Sequence, residues 1–207
     1  MAKKTKNTKN TTPKAKAEKP YRPRLTRREL GEILDFAKGL ARAGGSLAMS
    51  YYGRANPALR YDYDLITEAD LAVQDYLRKE VAASYPAHRF LGEEGNALPS
   101  DLDKQTPLWV VDPVDGSAGF SAGMPVWAVS ISLFDGPKPV LGLIHLPVTG
   151  ELYHAMAGEQ AMVNDRAISV RDEAVDNESL LLTYSRFHGD FVTHFPGKVR
   201  SLGSSAA

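Results

Sequence analysis

The sequence contains no cysteine, which excludes a disulfide scaffold, a thiolate zinc site and a cysteine nucleophile. It has no apolar run of 18 or more residues, so no segment reads as a spanning helix. No basic-then-apolar signal peptide opens the chain, and a cytoplasmic location is the expectation. Gly-x-Gly-x-x-Gly, His-Glu-x-x-His and Gly-x-Ser-x-Gly are absent, as is any internal repeat. Net charge is also absent, since 25 basic side chains balance 25 acidic ones.

That balance conceals two unlike parts. Residues 1–28 hold eleven Lys or Arg and one acid, a charge of +10, while residues 29–207 hold 14 bases and 24 acids, a charge of −10. Residues 1–25 read as a disordered basic tail, because Lys, Thr, Asn, Ala and Pro without apolar periodicity cannot offset the entropy of ordering. No aromatic residue interleaves the lysines of Met1 to Pro20, so the expected role is solubilising, with only weak contacts to nucleic acid. At 43% hydrophobic overall, the rest can bury a substantial core.

Order is expected from Thr26, where Thr26-Arg27-Arg28-Glu29 has capping-box spacing and Leu30, Ile33, Leu34, Ala37 and Ala41 recur on one helical face to about Gly53. A second helix is predicted over Thr67 to Ser84, closed by Pro86, with Ala69, Ala72, Val73, Tyr76, Leu77 and Val81 facing inward. Strands follow at Arg89–Leu91, Leu108–Val111, Val126–Phe134, Val140–Leu146 and Leu152–Met156, the last three as an antiparallel meander. Asn164-Asp165 reads as a tight turn, Leu180-Leu181-Leu182 as a buried strand, Arg186 to His194 as a short helix, and Val199 as the start of a further element.

Chemistry concentrates in three acidic segments, each at an expected element end. Asp70 opens the second helix; Glu93 and Glu94 end a strand; Asp112 and Asp115 follow another in Asp112-Pro113-Val114-Asp115-Gly116-Ser117. Taken singly, each has a structural reading: a helix cap, surface acids, an ordinary turn. Together they suit a site. Two aspartates three apart across a tight turn repel, which raises a pKa or calls for a cation. Oxygen donors without cysteine or clustered histidine suit a hard ion such as Mg²⁺. The amides of Gly116, Ser117 and Ala118 can form an anion nest, so the set suggests metal-assisted phosphate-ester hydrolysis. Gly39 to Ser46 looks like a P-loop but lacks its lysine and lies in a helical pattern. The five histidines are dispersed, and His145 and His154 are expected to be packed or exposed on strands; Asp62-x-Asp64 is too common a pattern to carry weight.

With these motifs in order, the sequence resembles the inositol monophosphatase family of Mg²⁺-dependent, lithium-sensitive sugar-phosphate phosphatases, from about Leu30 to the last residue. The resemblance rests on Ile66-Thr67-Glu68-Ala69-Asp70, Phe90-Leu91-Gly92-Glu93-Glu94 and Trp109-Val110-Val111-Asp112-Pro113-Val114-Asp115-Gly116-Ser117, with weaker support from Trp127–Ile131, Pro147–Leu152 and Arg200–Ala206. It implies an α/β (α+β) layered α/β/α/β/α fold with its N-terminal half present and its C-terminal half incomplete: residues 26–172 as a metal-binding α+β domain and 173–207 as the start of a second domain. It implies Glu93, Asp112, Asp115 and the Val114 carbonyl as Mg²⁺ ligands. Asp70 and Ser117 would orient the attacking water, with Ser117 replacing the family's usual Thr. Asp115, Gly116 and Ser117 would bind the substrate phosphate.

The implied activity is phosphomonoester hydrolysis of a small sugar or inositol phosphate by metal-activated water. A 3′(2′),5′-bisphosphate nucleotidase and a histidinol-phosphatase are the alternatives within the family, a homodimer is the family's common state, and no membrane partner is expected. The family's further metal-binding Asp, in a Trp-Asp-x-Ala-Ala-Gly stretch, is not among these residues, and Arg60-Tyr61-Asp62 stands where the family often has a Lys. The expectation is therefore either a fragment of a longer product or a short form that binds one Mg²⁺ weakly and turns over poorly, with a non-enzymatic remnant as the competing class.

Overall fold

The computed structural model describes residues 24–53, 67–94, 106–170, 172–183 and 194–201. The basic tail to residue 23, Asp62 and Asp64, most of the helix expected over 186–194, and the segment after Ser201 lie outside the described residues.

Both expected helices form, and both begin on a capping box. In α1 (Arg27–Met49) the Thr26 hydroxyl accepts from the Glu29 amide while Glu29 reaches back to the Thr26 amide. In α2 (Glu68–Ser84) Thr67 and Asp70 repeat the device. The apolar stripe of each helix turns inward: Ile33, Ala37, Leu40, Ala41 and Ala48 of α1 and Val73, Leu77 and Val81 of α2 are buried. α1 ends at Met49, with a turn to Gly53 in place of the longer helix expected.

These helices cover one face of a seven-stranded sheet whose strands follow chain order: β1 (Arg89–Gly92), β2 (Leu108–Asp115), β3 (Ala128–Asp135), β4 (Lys138–Leu146), β5 (Glu151–Met156), β6 (Met162–Val163) and β7 (Arg166–Ala167). β1 and β2 run parallel, and every later neighbour pair is antiparallel. Trp109 and Val111 of β2, Val129, Ile131 and Leu133 of β3, Leu141 and Leu143 of β4 and Leu152 of β5 form the sheet side of the core. The intervening residues point the other way, as the period of two requires. There Ser130, Ser132, Gly142, Ile144 and Tyr153 line an open groove of about 340 Å³. His145 and His154 lie on the helix side and are packed: His145 Nδ1 is 3.0 Å from the Glu151 carbonyl and His154 Nε2 is 3.2 Å from that of Asn164. Asn164 takes φ 52° in the tight turn between β6 and β7.

Two strand expectations need correction. Asp112 and Asp115 do not follow a strand; β2 runs through Asp115. Its pairing with β3 goes from Asp112 opposite Ser130 to Asp115 opposite Ala128, three residues against two, a bulge that accommodates Pro113 and its missing N–H. Leu180–Leu182 belongs to β8 (Leu180–Thr183), which pairs in parallel with β9 (Lys198–Ser201) in a separate two-stranded sheet, and Leu180 and Leu182 are 57% and 50% exposed rather than buried. Between β2 and β3 lies the short helix α3 (Ser117–Ser121). Among the described residues no helix is long and apolar enough to cross a membrane.

Candidate active site

The bulge in β2 decides the geometry. Side chains three apart on a regular strand point to opposite faces. The extra residue resets the alternation, so Asp112 and Asp115, opposite Ser130 and Ala128, share the face away from α1 and α2. On the other side of β2, the parallel register sets Gly92 level with Val111, and the Glu93 amide donates to the Val111 carbonyl at 3.0 Å. Glu93 therefore stands level with Asp112.

The electrostatics follow from that placement. Burial pushes the Asp112 carboxyl up to about 8; the negative charge of Glu93, a hydrogen bond to it and the charge of Asp115 push the same way, while the Val114 amide opposes. Asp112 Oδ1 is buried without a hydrogen-bond partner. A buried, unpartnered carboxylate oxygen pressed by two further carboxylates is costly unless a proton or a cation relieves it.

The second group is built from α2 and α3. Asp70, 1% exposed, uses both carboxylate oxygens. Oδ2 accepts from the Thr67 amide at 2.8 Å and from the Thr67 hydroxyl, and Oδ1 lies 3.0 Å from Ser117 Oγ. The Ser117 hydroxyl is equally 3.0 Å from the Val114 carbonyl. Gly116, with φ 96° as the N-cap of α3, makes the left-handed turn that carries the chain from β2 into the helix. Phe120 anchors α3 from below, edge-on to Trp127 at 4.8 Å and against Tyr52 at 5.6 Å, and the Tyr52 hydroxyl donates to the Gly123 carbonyl at 2.7 Å.

The structure thus draws the sequence-predicted residues into two linked groups: Glu93, Asp112 and Asp115 across β1 and β2, and Asp70 with Ser117, joined to the first through the Val114 carbonyl. Among the described residues no three acids or histidines are gathered into a ready cage for an ion. The donors that are present fit Mg²⁺ nonetheless. All are oxygens, one is buried and unpartnered, and Mg²⁺ is commonly held by one or two carboxylates while waters and phosphate oxygens complete its shell. Gln74 escaped the sequence reading. It is 5% exposed and binds the backbone of Glu94, and the signal was a polar residue one turn beyond Asp70 on an otherwise apolar helix face.

Known proteins share this arrangement of sequence and fold. The model of the inositol monophosphatase family matches residues 29–206. Inositol monophosphatase 1 of Solanum lycopersicum is 35% identical over 155 residues, 74% of this chain and 56% of that protein. A histidinol-phosphatase of Chlorobaculum parvum is 32% identical over 151 residues, 72% of this chain and 57% of that protein. The structure of an IMPase from Thermotoga maritima superposes with a TM-score of 0.75 at 30% identity, covering 84% of this chain and 70% of that one. The chain spans less than two thirds of the length of these two curated relatives.

Proposed function

The chain belongs to the inositol monophosphatase family, and we propose that its site hydrolyses a small sugar or inositol phosphate with the help of Mg²⁺. The observation that supports this reading best is Asp112 Oδ1, buried and unpartnered in a carboxyl that feels the negative charges of Glu93 and Asp115. Glu93, Asp112, Asp115 and the Val114 carbonyl would hold the ion. When bound, it supplies Lewis acidity toward phosphoryl oxygens and lowers the pKa of a water.

The chain's own groups do the rest. Thr67 grips Asp70 Oδ2 and keeps the carboxylate from rotating, so Oδ1 stays aimed at Ser117. A hydroxyl has one proton to donate and lone pairs to accept with. While Ser117 Oγ donates to Asp70 Oδ1, it can accept from an incoming water and orient it in line with the ester bond. The water oxygen bonds to phosphorus as the ester P–O bond breaks; of the water's two protons one stays on the phosphate formed and the other ends on the leaving alkoxide, giving an alcohol and inorganic phosphate. The Gly116 and Ser117 amides, at the left-handed turn that opens α3, would receive phosphate oxygens.

Phosphate release from inositol 1-phosphate, fructose 1,6-bisphosphate, 3′-phosphoadenosine 5′-phosphate and histidinol phosphate tests the proposal. Release should require Mg²⁺ and be inhibited by Li⁺, with an inositol or sugar phosphate turned over fastest. Fastest release from the nucleotide or from histidinol phosphate would move the chain to the corresponding alternative. Asp112→Asn should lower release by roughly 100-fold or more, beyond the effect of residues that only touch a ligand. Unchanged release in that variant overturns the site, and Mg²⁺ binding without any release makes the chain a binding module.

A further inference from the structure

We propose that Gln74 is a positioning residue that sets Glu93 against Asp112 by clamping the backbone just beyond it. The inference rests on the reading of Glu93 as a metal ligand. Among the described residues β1 is an edge strand of the sheet, bonded to β2 alone, and it ends at Gly92. On its inner side the Glu93 amide is held by the Val111 carbonyl at 3.0 Å. On its other side, where none of the described strands lies, the Gln74 side chain takes a strand's place. Its Oε1 accepts from the Glu94 amide at 3.0 Å, and its Nε2 donates to the Glu94 carbonyl at 3.1 Å. Those are the two bonds that a hydrogen-bonded pair on an antiparallel neighbour exchanges. The Glu93 backbone is thereby fixed on both flanks, and its side chain emerges level with Asp112.

The fit is close and chemically specific. A Cβ at Gly92 would collide with the Gln74 amide, so the turn approaches α2 as nearly as a backbone can. Gln74 lies one helical turn after Asp70, so a single face of α2 holds Ser117 with one side chain and the Glu94 turn with the other. A neutral amide both donates and accepts. A carboxylate at 74 would keep the bond from the Glu94 amide but face the Glu94 carbonyl oxygen with nothing to donate. Leucine, of similar size, makes neither bond.

The test uses the 207-residue chain and two readouts, hydrogen exchange at the Glu94 amide and Mg²⁺ affinity by calorimetry. In the wild type the Glu94 amide should be protected. Gln74→Leu should speed its exchange at least about tenfold and weaken Mg²⁺ binding roughly tenfold, the lower end of what lost support for a ligand costs. Gln74→Glu, which retains one bond, should fall between. Phosphate release by Gln74→Leu should recover at saturating Mg²⁺, so that the metal requirement moves and kcat does not, an outcome that general destabilisation would not produce. A wild-type Glu94 amide that exchanges freely overturns the clamp without any variant. Lost protection with unchanged Mg²⁺ affinity overturns the positioning role alone. A wild type that binds no Mg²⁺ while the amide stays protected overturns the metal-site reading, and the positioning role with it.

Discussion

Ser117 and Asp70 show how one side chain can answer two readings of a sequence. Taken alone, Thr67-Glu68-Ala69-Asp70 reads as a helix cap sooner than as part of a site, and the carboxylate divides its oxygens: Oδ2 closes the capping box, and Oδ1 meets Ser117. The cap is legible because it is local, three residues apart. The bond to Ser117, 47 residues on, depends on the bulge and the left-handed Gly116, which no spacing rule supplies. Ser117→Ala should leave a buried Asp70 oxygen without this donor. The expected loss is roughly 1.5–3 kcal/mol of unfolding free energy, the worth of a hydrogen bond to a charged group. Ser117→Thr keeps the hydroxyl and should stay close to wild type. Urea denaturation of the two variants checks this, and equal stability of Ala and wild type would mean the hydroxyl bonds elsewhere.

Among the elements, α1 offers two glycines with opposite expectations. Glycine inside a helix normally costs about 1 kcal/mol relative to alanine. A Cβ at Gly39 would meet nothing within 4 Å, so Gly39→Ala should stabilise by up to roughly that amount. A Cβ at Gly45 would come within 2.6 Å of His145 Cδ2 and 2.8 Å of Pro147 Cγ, because there the helix lies directly on the end of β4. Gly45→Ala should therefore destabilise, by about 1–3 kcal/mol as overpacking does, and thermal melts of the pair read the contrast. The helices and the β3–β5 meander were legible because caps, apolar periodicity and short turns are encoded nearby. The parallel pairing of β1 with β2 was not, since its partners are contributed by separate segments. Pro113 and Gly116 looked like the end of a strand, whereas the sheet absorbs the proline in a bulge and continues to Asp115. Leu180–Leu182 looked buried because an apolar run says nothing of what covers it.

For the whole molecule, the order of the motifs was enough to reach the family, while the charge relations among Glu93, Asp112 and Asp115 needed the fold. They give a pH dependence with two opposed parts. Asp112 is raised from 3.8 to about 8, first by burial and then by Glu93 and Asp115. Its contribution to folding is full below the unfolded value and is lost as pH rises toward 8. His88, His145 and His154 are each lowered from 6.5 by burial. Their contribution is present above 6.5 and is lost as pH falls through their lower folded values. Net stability of the metal-free protein thus mixes both trends, and only a variant separates them. Asp112→Asn removes the acid's share and leaves the histidines. In chelator, its melting temperature relative to wild type should climb steadily from about pH 5 to about pH 8. Mg²⁺ binding needs the deprotonated carboxylate, so added Mg²⁺ should raise the wild-type melting temperature far more at the upper pH than at the lower, and should leave Asp112→Asn nearly unmoved. Melting curves that stay parallel across this range, with and without the ion, would show that Asp112 carries neither the strain nor the metal assigned to it.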